Sequence, residues 1–128
     1  MLKVSGLDVN IGPTPILRNL TLEVPAGTMC GLIGRNGAGK TTFLRAIMGA
    51  LAAQSGQAMF GHQDLLKIQP HKRAHMGIGF MPEDRRLVPA LTVEENILVP
   101  VWATGMEDWQ DRLDWIYGLM PEVAEFRN

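Results

Sequence analysis

An α/β fold is predicted for this 128-residue chain from three adjacent observations. The run Gly34-Arg35-Asn36-Gly37-Ala38-Gly39-Lys40-Thr41-Thr42 matches G-x-x-x-x-G-K-[ST], a loop that cradles phosphate. Immediately before it, Met29-Cys30-Gly31-Leu32-Ile33 is a short apolar run, the pattern of a strand buried on both faces. Immediately after it, Phe43, Leu44, Ile47, Met48 and Leu51 recur at helical spacing, with Gly49 near the end as a stop signal. Strand, loop and helix in that order point a helix N-terminus at the phosphate, where the dipole and free N–H groups favour negative charge.

Each residue type in the loop answers to one piece of a polyanion. The glycines let backbone N–H groups turn inward, Lys40 reaches the outer phosphate oxygens, and the Thr41 hydroxyl can ligate Mg²⁺. Chance brings the fixed positions together in roughly one per cent or fewer of chains this long, taking Gly at about 7% of residues. A glycine-rich turn with an exposed lysine is therefore set aside, and the implied ligand is a nucleoside triphosphate.

The remaining elements follow in chain order. Leu2 to Ile11 and Ile16 to Val24 read as two strands joined by Gly12-Pro13-Thr14-Pro15. In the second, Leu20, Leu22 and Val24 alternate with Thr21 and Glu23, as in a strand with one wet face. Pro25-Ala26-Gly27 ends it. Ser55-Gly56 opens a short strand from Gln57 to Phe60, Pro70 starts a short helix through Met76, and Ile78 to Met81 reads as a second buried strand. Thr92 with Glu95 three residues later is a capping box, which predicts a helix from Val93 to Val99 that stops before Pro100. Ala103-Thr104-Gly105 reads as a break. From Glu107 to Leu119, Trp109, Leu113, Ile116 and Met120 fall on one face of an amphipathic helix, and Trp109, Trp115 and Tyr117 are expected to pack inward.

Composition excludes several classes. A net charge of −1, with basic residues clustered only in His71-Lys72-Arg73 and Arg85-Arg86, argues against a nucleic-acid binder. No apolar stretch approaches the roughly 20 residues needed to span a bilayer, so no direct membrane insertion is expected. The N-terminus lacks a secretory pattern, which places the expectation in the cytosol. Cys30 is the single cysteine, lies in the predicted buried strand, and is read as core. Met29, Met48, Met59, Met76 and Met81 are likewise read as core filling. His71 and His75 lie one helical turn apart but have no third ligand nearby, so a solvated helix face is expected.

Three stretches together carry a resemblance: the loop from Gly34 to Thr42, the strand-rich approach to it, and Gly77-Ile78-Gly79-Phe80-Met81-Pro82-Glu83 followed by Leu91-Thr92-Val93-Glu94-Glu95-Asn96. They are similar to the N-terminal half of an ATP-binding cassette (ABC) ATPase. The stretch from Met81 to Asn96 looks most like ATPase subunits of importers for branched-chain amino acids and their urea or amide relatives. The resemblance runs from Leu2 to about Leu98.

It implies a P-loop NTPase core with N-terminal antiparallel β strands over residues 1–27. A P-loop core to the Q-loop region follows over 28–90, and residues 91–128 start a helical subdomain, the whole an incomplete domain. The implied nucleotide site is Gly34, Arg35, Asn36, Gly37, Ala38, Gly39, Lys40, Thr41 and Thr42, with Ile11 where family members often place an aromatic ring against adenine. Thr41 and Glu83 are the implied Mg²⁺ ligands. Glu83 takes the place of the usual Q-loop glutamine, where it could hold metal, orient water or couple to a membrane subunit. The implied partners are ATP, permease subunits and a second ATPase subunit, and the implied location is peripheral, on the inner face of the membrane.

The departures are as informative. Ile11 offers apolar contact but no stacking, worth about 0.5 to 1.5 kcal/mol in aromatic pairs. No run of apolar residues followed by Asp-Glu occurs, and no L-S-G-G-Q; Gln54-Ser55-Gly56-Gln57 is a turn into a strand. The family's acidic metal partner, catalytic glutamate and signature sequence are thus missing, the catalytic residue is unknown, and these residues alone are expected to bind nucleotide without turning it over. The expectation is that the chain stops inside the helical subdomain, as a fragment or a natural half-cassette. A small-molecule kinase usually opens with the P-loop strand, and a GTPase needs N-K-x-D, so both fit less well. A non-transport cassette shares the same first half and stays open.

Overall fold

The computed structural model describes residues 1–84 and 86–127. Arg85, part of the basic pair noted above, lies outside the described residues. Two compact units are formed, Met1–Ile78 and Gly79–Asn128.

The first unit is built on an antiparallel sheet. Strands β1 (Leu2–Ile11) and β2 (Thr14–Val24) form a hairpin closed at Gly12-Pro13, so the turn is tighter than the sequence suggests and β2 starts two residues early. Strand β3 (Ser55–Phe60) pairs with the other edge of β1, and the short β4 (Gln63–Asp64) pairs with β3, giving the order β2-β1-β3-β4. Val4, Leu7 and Val9 of β1, Leu17 of β2 and Ala58 of β3 are buried in the core, a register shift between Val4 and Leu7 keeping both on the covered face where strict alternation would not. Helix α1 (Lys40–Met48) covers that face with Phe43, Ala46 and Ile47, and Leu65 of a 3₁₀ turn (Leu65–Lys67) completes the core. Leu44, expected on the inner face of α1, points out to solvent.

Helix α2 (Pro70–His75) contributes one buried side chain, and it is a cation. The Arg73 guanidinium, 3% exposed, donates to the carbonyls of Ala46 and Ile47 in the last turn of α1 and to that of Ile68. A positive group there meets orphan carbonyls and the negative end of the helix dipole. Burial lowers the Arg73 pKa, partly opposed by the charge of Asp64. Gly49 makes room for the clasp: it ends α1 with φ 78°, and a Cβ on it would meet Pro70 and Arg73 at 2.8 and 2.9 Å.

Two expectations about strands fail. Residues 29–33 form no strand, and Met29 and Ile33 are 100% and 96% exposed, with Cys30 also exposed rather than in the core. Residues 78–81 are also irregular, with Phe80 and Met81 exposed. A doubly buried strand exists only with a ladder partner and a cover on each face, and no described residue pairs with either run. Met48, Met59 and Met76 are half-buried, as core filling requires; Met29 and Met81 are not.

The second unit is helical, with α3 (Val93–Thr104), α4 (Trp109–Leu119) and α5 (Pro121–Glu125). The capping box is formed: Thr92 Oγ1 accepts from Glu95 N at 3.2 Å and Glu95 Oε2 accepts from Thr92 N at 2.8 Å. Asn96 then staples the preceding loop, accepting from Val88 N at 2.8 Å and donating to Leu91 O and Thr92 O. Helix α3 passes through Pro100 instead of stopping before it. The ring removes one donor, but Pro100 is solvent-exposed and its carbonyl accepts from Thr104 Oγ1 at 2.7 Å, so the last turn is retained. In α4, Leu113 is buried and Trp109 and Ile116 half-buried, as the spacing predicts, whereas Met120, expected on the same face, is the C-cap and is exposed. Trp115 is 66% exposed, not packed inward, because its position falls off the Trp109–Leu113–Ile116 face. The Tyr117 hydroxyl donates to Glu94 at 2.9 Å, and burial, then Glu94, raise its pKa.

Arg73→Met should destabilise the first unit by about 2 to 4 kcal/mol by leaving buried carbonyls unpaired, read as a lower denaturation midpoint with unchanged m-value. A pH effect should arise at Asp8, whose carboxylate accepts from Ser55 Oγ and Asn19 N. These bonds, Ser55 first, lower its pKa below the usual aspartate value. Its stabilisation is therefore complete above the unfolded-state pKa and is lost as pH falls through the folded one. Thermal melts between about pH 6 and pH 2 should fall more steeply for the native chain than for Asp8→Asn.

Candidate functional site

The phosphate loop is assembled by backbone conformation. Gly37 and Gly39 take φ of 85° and 87°, and Ala38 N donates to Arg35 O at 3.1 Å, curling residues 35–38 into a tight turn. Gly39 then serves as N-cap of α1, and Phe43 N donates to its carbonyl at 2.8 Å. Only glycine fits there: beyond its left-handed φ, a Cβ would sit 2.7 Å from Leu17 Cδ2 and 3.4 Å from Ile16 Cγ2. Strand β2 thus presses directly on the loop's last glycine.

Lys40 is the centre of the site. Its Nζ donates to Gly34 O at 2.7 Å and Arg35 O at 2.9 Å, so the ammonium lies inside the loop it closes. No side chain caps the N-terminus of α1 and its first turn carries no acidic residue, leaving the positive end of the dipole uncompensated by the protein. The two threonines differ. Thr41 is exposed beside Lys40, available to a metal, whereas the Thr42 side chain is 8% exposed and faces the core. Arg35, Asn36 and Ala38 are exposed on the rim.

Ile11, the last residue of β1, is 49% exposed and pairs with Thr14 at the hairpin end, just beyond the Val9–Leu17 pair whose leucine meets Gly39. Glu83 lies in the second unit and is exposed. His71 and His75 are both exposed, as expected, and no group of three or more metal-ligating side chains occurs among the described residues. No helix of the described residues is long and apolar enough to cross a membrane.

Three contributing residues are not legible as such in the sequence. Ile16 and Leu17 were visible only as strand residues, and nothing in their spacing tells that they abut the loop. Arg73 was hidden among His71 and Lys72; its one sign was its place in a short Pro-started helix, where one inward face is all the helix can bury.

Comparison with known proteins agrees with this geometry. A family model described as ABC transporter matches residues 17–125. The probable branched-chain amino acid transport ATP-binding protein LivF of Archaeoglobus fulgidus is 29% identical over 98% of this chain and 53% of its own length. The high-affinity branched-chain amino acid transport ATP-binding protein BraG of Pseudomonas aeruginosa is 32% identical over 98% of this chain and 54% of its own. The cell division ATP-binding protein FtsE of Haemophilus influenzae is 36% identical over 72% of this chain and 43% of its own. A solved ATP-binding subunit of an ABC transporter superposes with TM-score 0.74 at 29% identity, covering 85% of this chain and 45% of that one. The chain therefore spans about half the length of the first two relatives, shares its fold with the solved ATP-binding subunit, and belongs to the ABC transporter family.

Proposed function

We propose that this chain binds Mg²⁺-ATP through residues 34–42 and serves as part of the ATP-binding subunit of an ABC importer. The observation that carries the reading is the Lys40 ammonium held against the Gly34 and Arg35 carbonyls at the bare N-terminus of α1. The donor set fits the ligand: backbone N–H groups of the loop for bridging oxygens, Lys40 for the outer phosphates, and the exposed Thr41 hydroxyl for Mg²⁺. Glu83 is the second candidate for metal or for coupling to a permease. The metal would neutralise charge between phosphates; everything else in the site positions the polyanion.

Binding, not turnover, is the activity proposed for these residues alone, since phosphoryl transfer also needs an acidic metal partner and a water-orienting group. In a complete cassette, partnership with permease subunits and a second ATPase subunit would couple hydrolysis to transport at the inner face of the membrane. Branched-chain amino acids or related small solutes are the proposed cargo, supported by the LivF and BraG relatives. The match to FtsE supports a second reading, an ABC ATPase with another task, which shares the same nucleotide site.

Lys40→Ala should weaken Mg²⁺-ATP binding by about 1.5 to 3 kcal/mol, roughly ten- to a hundredfold in Kd by calorimetry. Undiminished affinity would refute the site. Ile11→Tyr should tighten ATP by about 0.5 to 1.5 kcal/mol while leaving inorganic triphosphate unchanged; equal gains for both ligands would place Ile11 away from the base.

A further inference from the structure

Among the described residues, Asn36 is the one asparagine followed by glycine, and that pair stands in the middle of the phosphate loop. Both residues are exposed, and no hydrogen bond holds the Asn36 carboxamide or the Gly37 N–H. Gly37 takes φ 85°, and a Cβ there would meet nothing within 4 Å, so its nitrogen is hindered neither by a side chain nor by neighbours. The surroundings are positive. Lys40 Nζ lies 2.9 Å from the carbonyl of Arg35, the peptide immediately before Asn36, and the bare N-terminus of α1 begins at Gly39. Positive charge favours an amide nitrogen that sheds its proton, and the oxyanion that forms when that nitrogen attacks a carbonyl. The field suited to phosphate is thus equally suited to this attack. The other described asparagines lack these conditions. Asn10, Asn19 and Asn96 precede Ile11, Leu20 and Ile97 within β1, β2 and α3, and the Asn96 carboxamide is already bonded to Val88, Leu91 and Thr92.

We propose that Asn36 is a self-modification site: Gly37 N displaces ammonia from the Asn36 carboxamide while the loop is empty, and the product no longer holds nucleotide. Water is the only co-reactant. A bond forms between Gly37 N and Asn36 Cγ, the Cγ–Nδ2 bond breaks, and ammonia leaves with the proton of the Gly37 amide, closing a cyclic succinimide. Water then opens the ring at either carbonyl. Opening at Cγ leaves an aspartate; opening at the backbone carbonyl leaves an isoaspartate, whose main chain runs through the former side chain. No electrons change hands. Either product damages the site. Each places a carboxylate in a loop meant for phosphate, and isoaspartate also inserts a methylene into the turn closed by Ala38 N and Arg35 O. The loss of binding rests on the proposed nucleotide site, whereas the modification rests on the Asn36-Gly37 pair alone. Bound Mg²⁺-ATP suppresses the attack, because its phosphates engage the loop's N–H groups and displace water. An occupied loop is protected and an idle one ages.

The test incubates the 128-residue chain at neutral pH and follows each asparagine by peptide mapping with isoaspartate detection. One sample is free of nucleotide, one holds Mg²⁺-ATP at about ten times its Kd, and a denatured sample shows that conversion can be detected. Asn36 should convert before Asn10, Asn19 and Asn96, and Mg²⁺-ATP should slow it about tenfold, the factor by which the empty fraction falls. Asn36→Asp should weaken Mg²⁺-ATP binding about tenfold or more by calorimetry. Asn36→Gln, whose longer amide closes the ring poorly, should bind as well after incubation as before it. An Asn36 that stays intact while the denatured sample converts would overturn the modification site. Equal affinity of Asn36→Asp and the native chain would overturn the loss of binding, and conversion that bound Mg²⁺-ATP does not slow would overturn the protection. A fresh chain that converts at Asn36 yet never binds Mg²⁺-ATP would refute the nucleotide site and leave the modification standing.

Discussion

The contact between β2 and Gly39 is the constraint on which the rest of the first unit depends. A side chain of any size on residue 39 would drive Leu17 out of the core or the phosphate loop off the sheet. Because Gly39 is also the N-cap of α1, that contact sets where the helix begins and which of its faces meets Val4, Leu7 and Val9. The far end of the same helix is fixed by the Arg73 clasp. Held at both ends, α1 presents its phosphate-facing terminus from a seat formed by Ile16 and Leu17 of β2.

Local chemistry was legible in the sequence, and non-local pairing was not. The hairpin, α1, β3, α2 and the capping box at Thr92 and Glu95 could be read because each is specified within a few residues, by alternation, a turn, or a cap. The runs 29–33 and 78–81 carry an equally clear pattern, but theirs is a statement about partners elsewhere, and apolar content cannot supply the partner. Pro100 misled in the opposite direction: a proline costs a helix one hydrogen bond, which a capped start and the Thr104 hydroxyl were enough to offset. In the candidate site, the loop residues were named by motif, whereas Arg73 and Leu17 act through contacts across the fold.

Charge is distributed unevenly in this scaffold. The positive dipole end of α1 stays open to solvent at Lys40 and Thr41, while its negative end is neutralised by a buried guanidinium. An anion arriving at the open end therefore meets a helix whose opposing pole has already been compensated inside the protein, and the favourable field at the loop is not set against an unsatisfied terminus behind it. Acidic residues are placed elsewhere: Asp8 and Asp64 serve backbone and hydroxyl donors of the sheet, well within the first unit's own architecture.

The hairpin of β1 and β2 joins segments separated by two residues, and β3 returns to β1 after the single excursion through α1. The hairpin is local and closes a small loop first, whereas β3 pairs with β1 only across the longer closure from Asp8–Ser55 to Leu2–Phe60. During synthesis from the N-terminus, the sheet that seats the phosphate loop can thus form while later residues are still being added, so the loop's seat precedes its partners in time as well as in sequence.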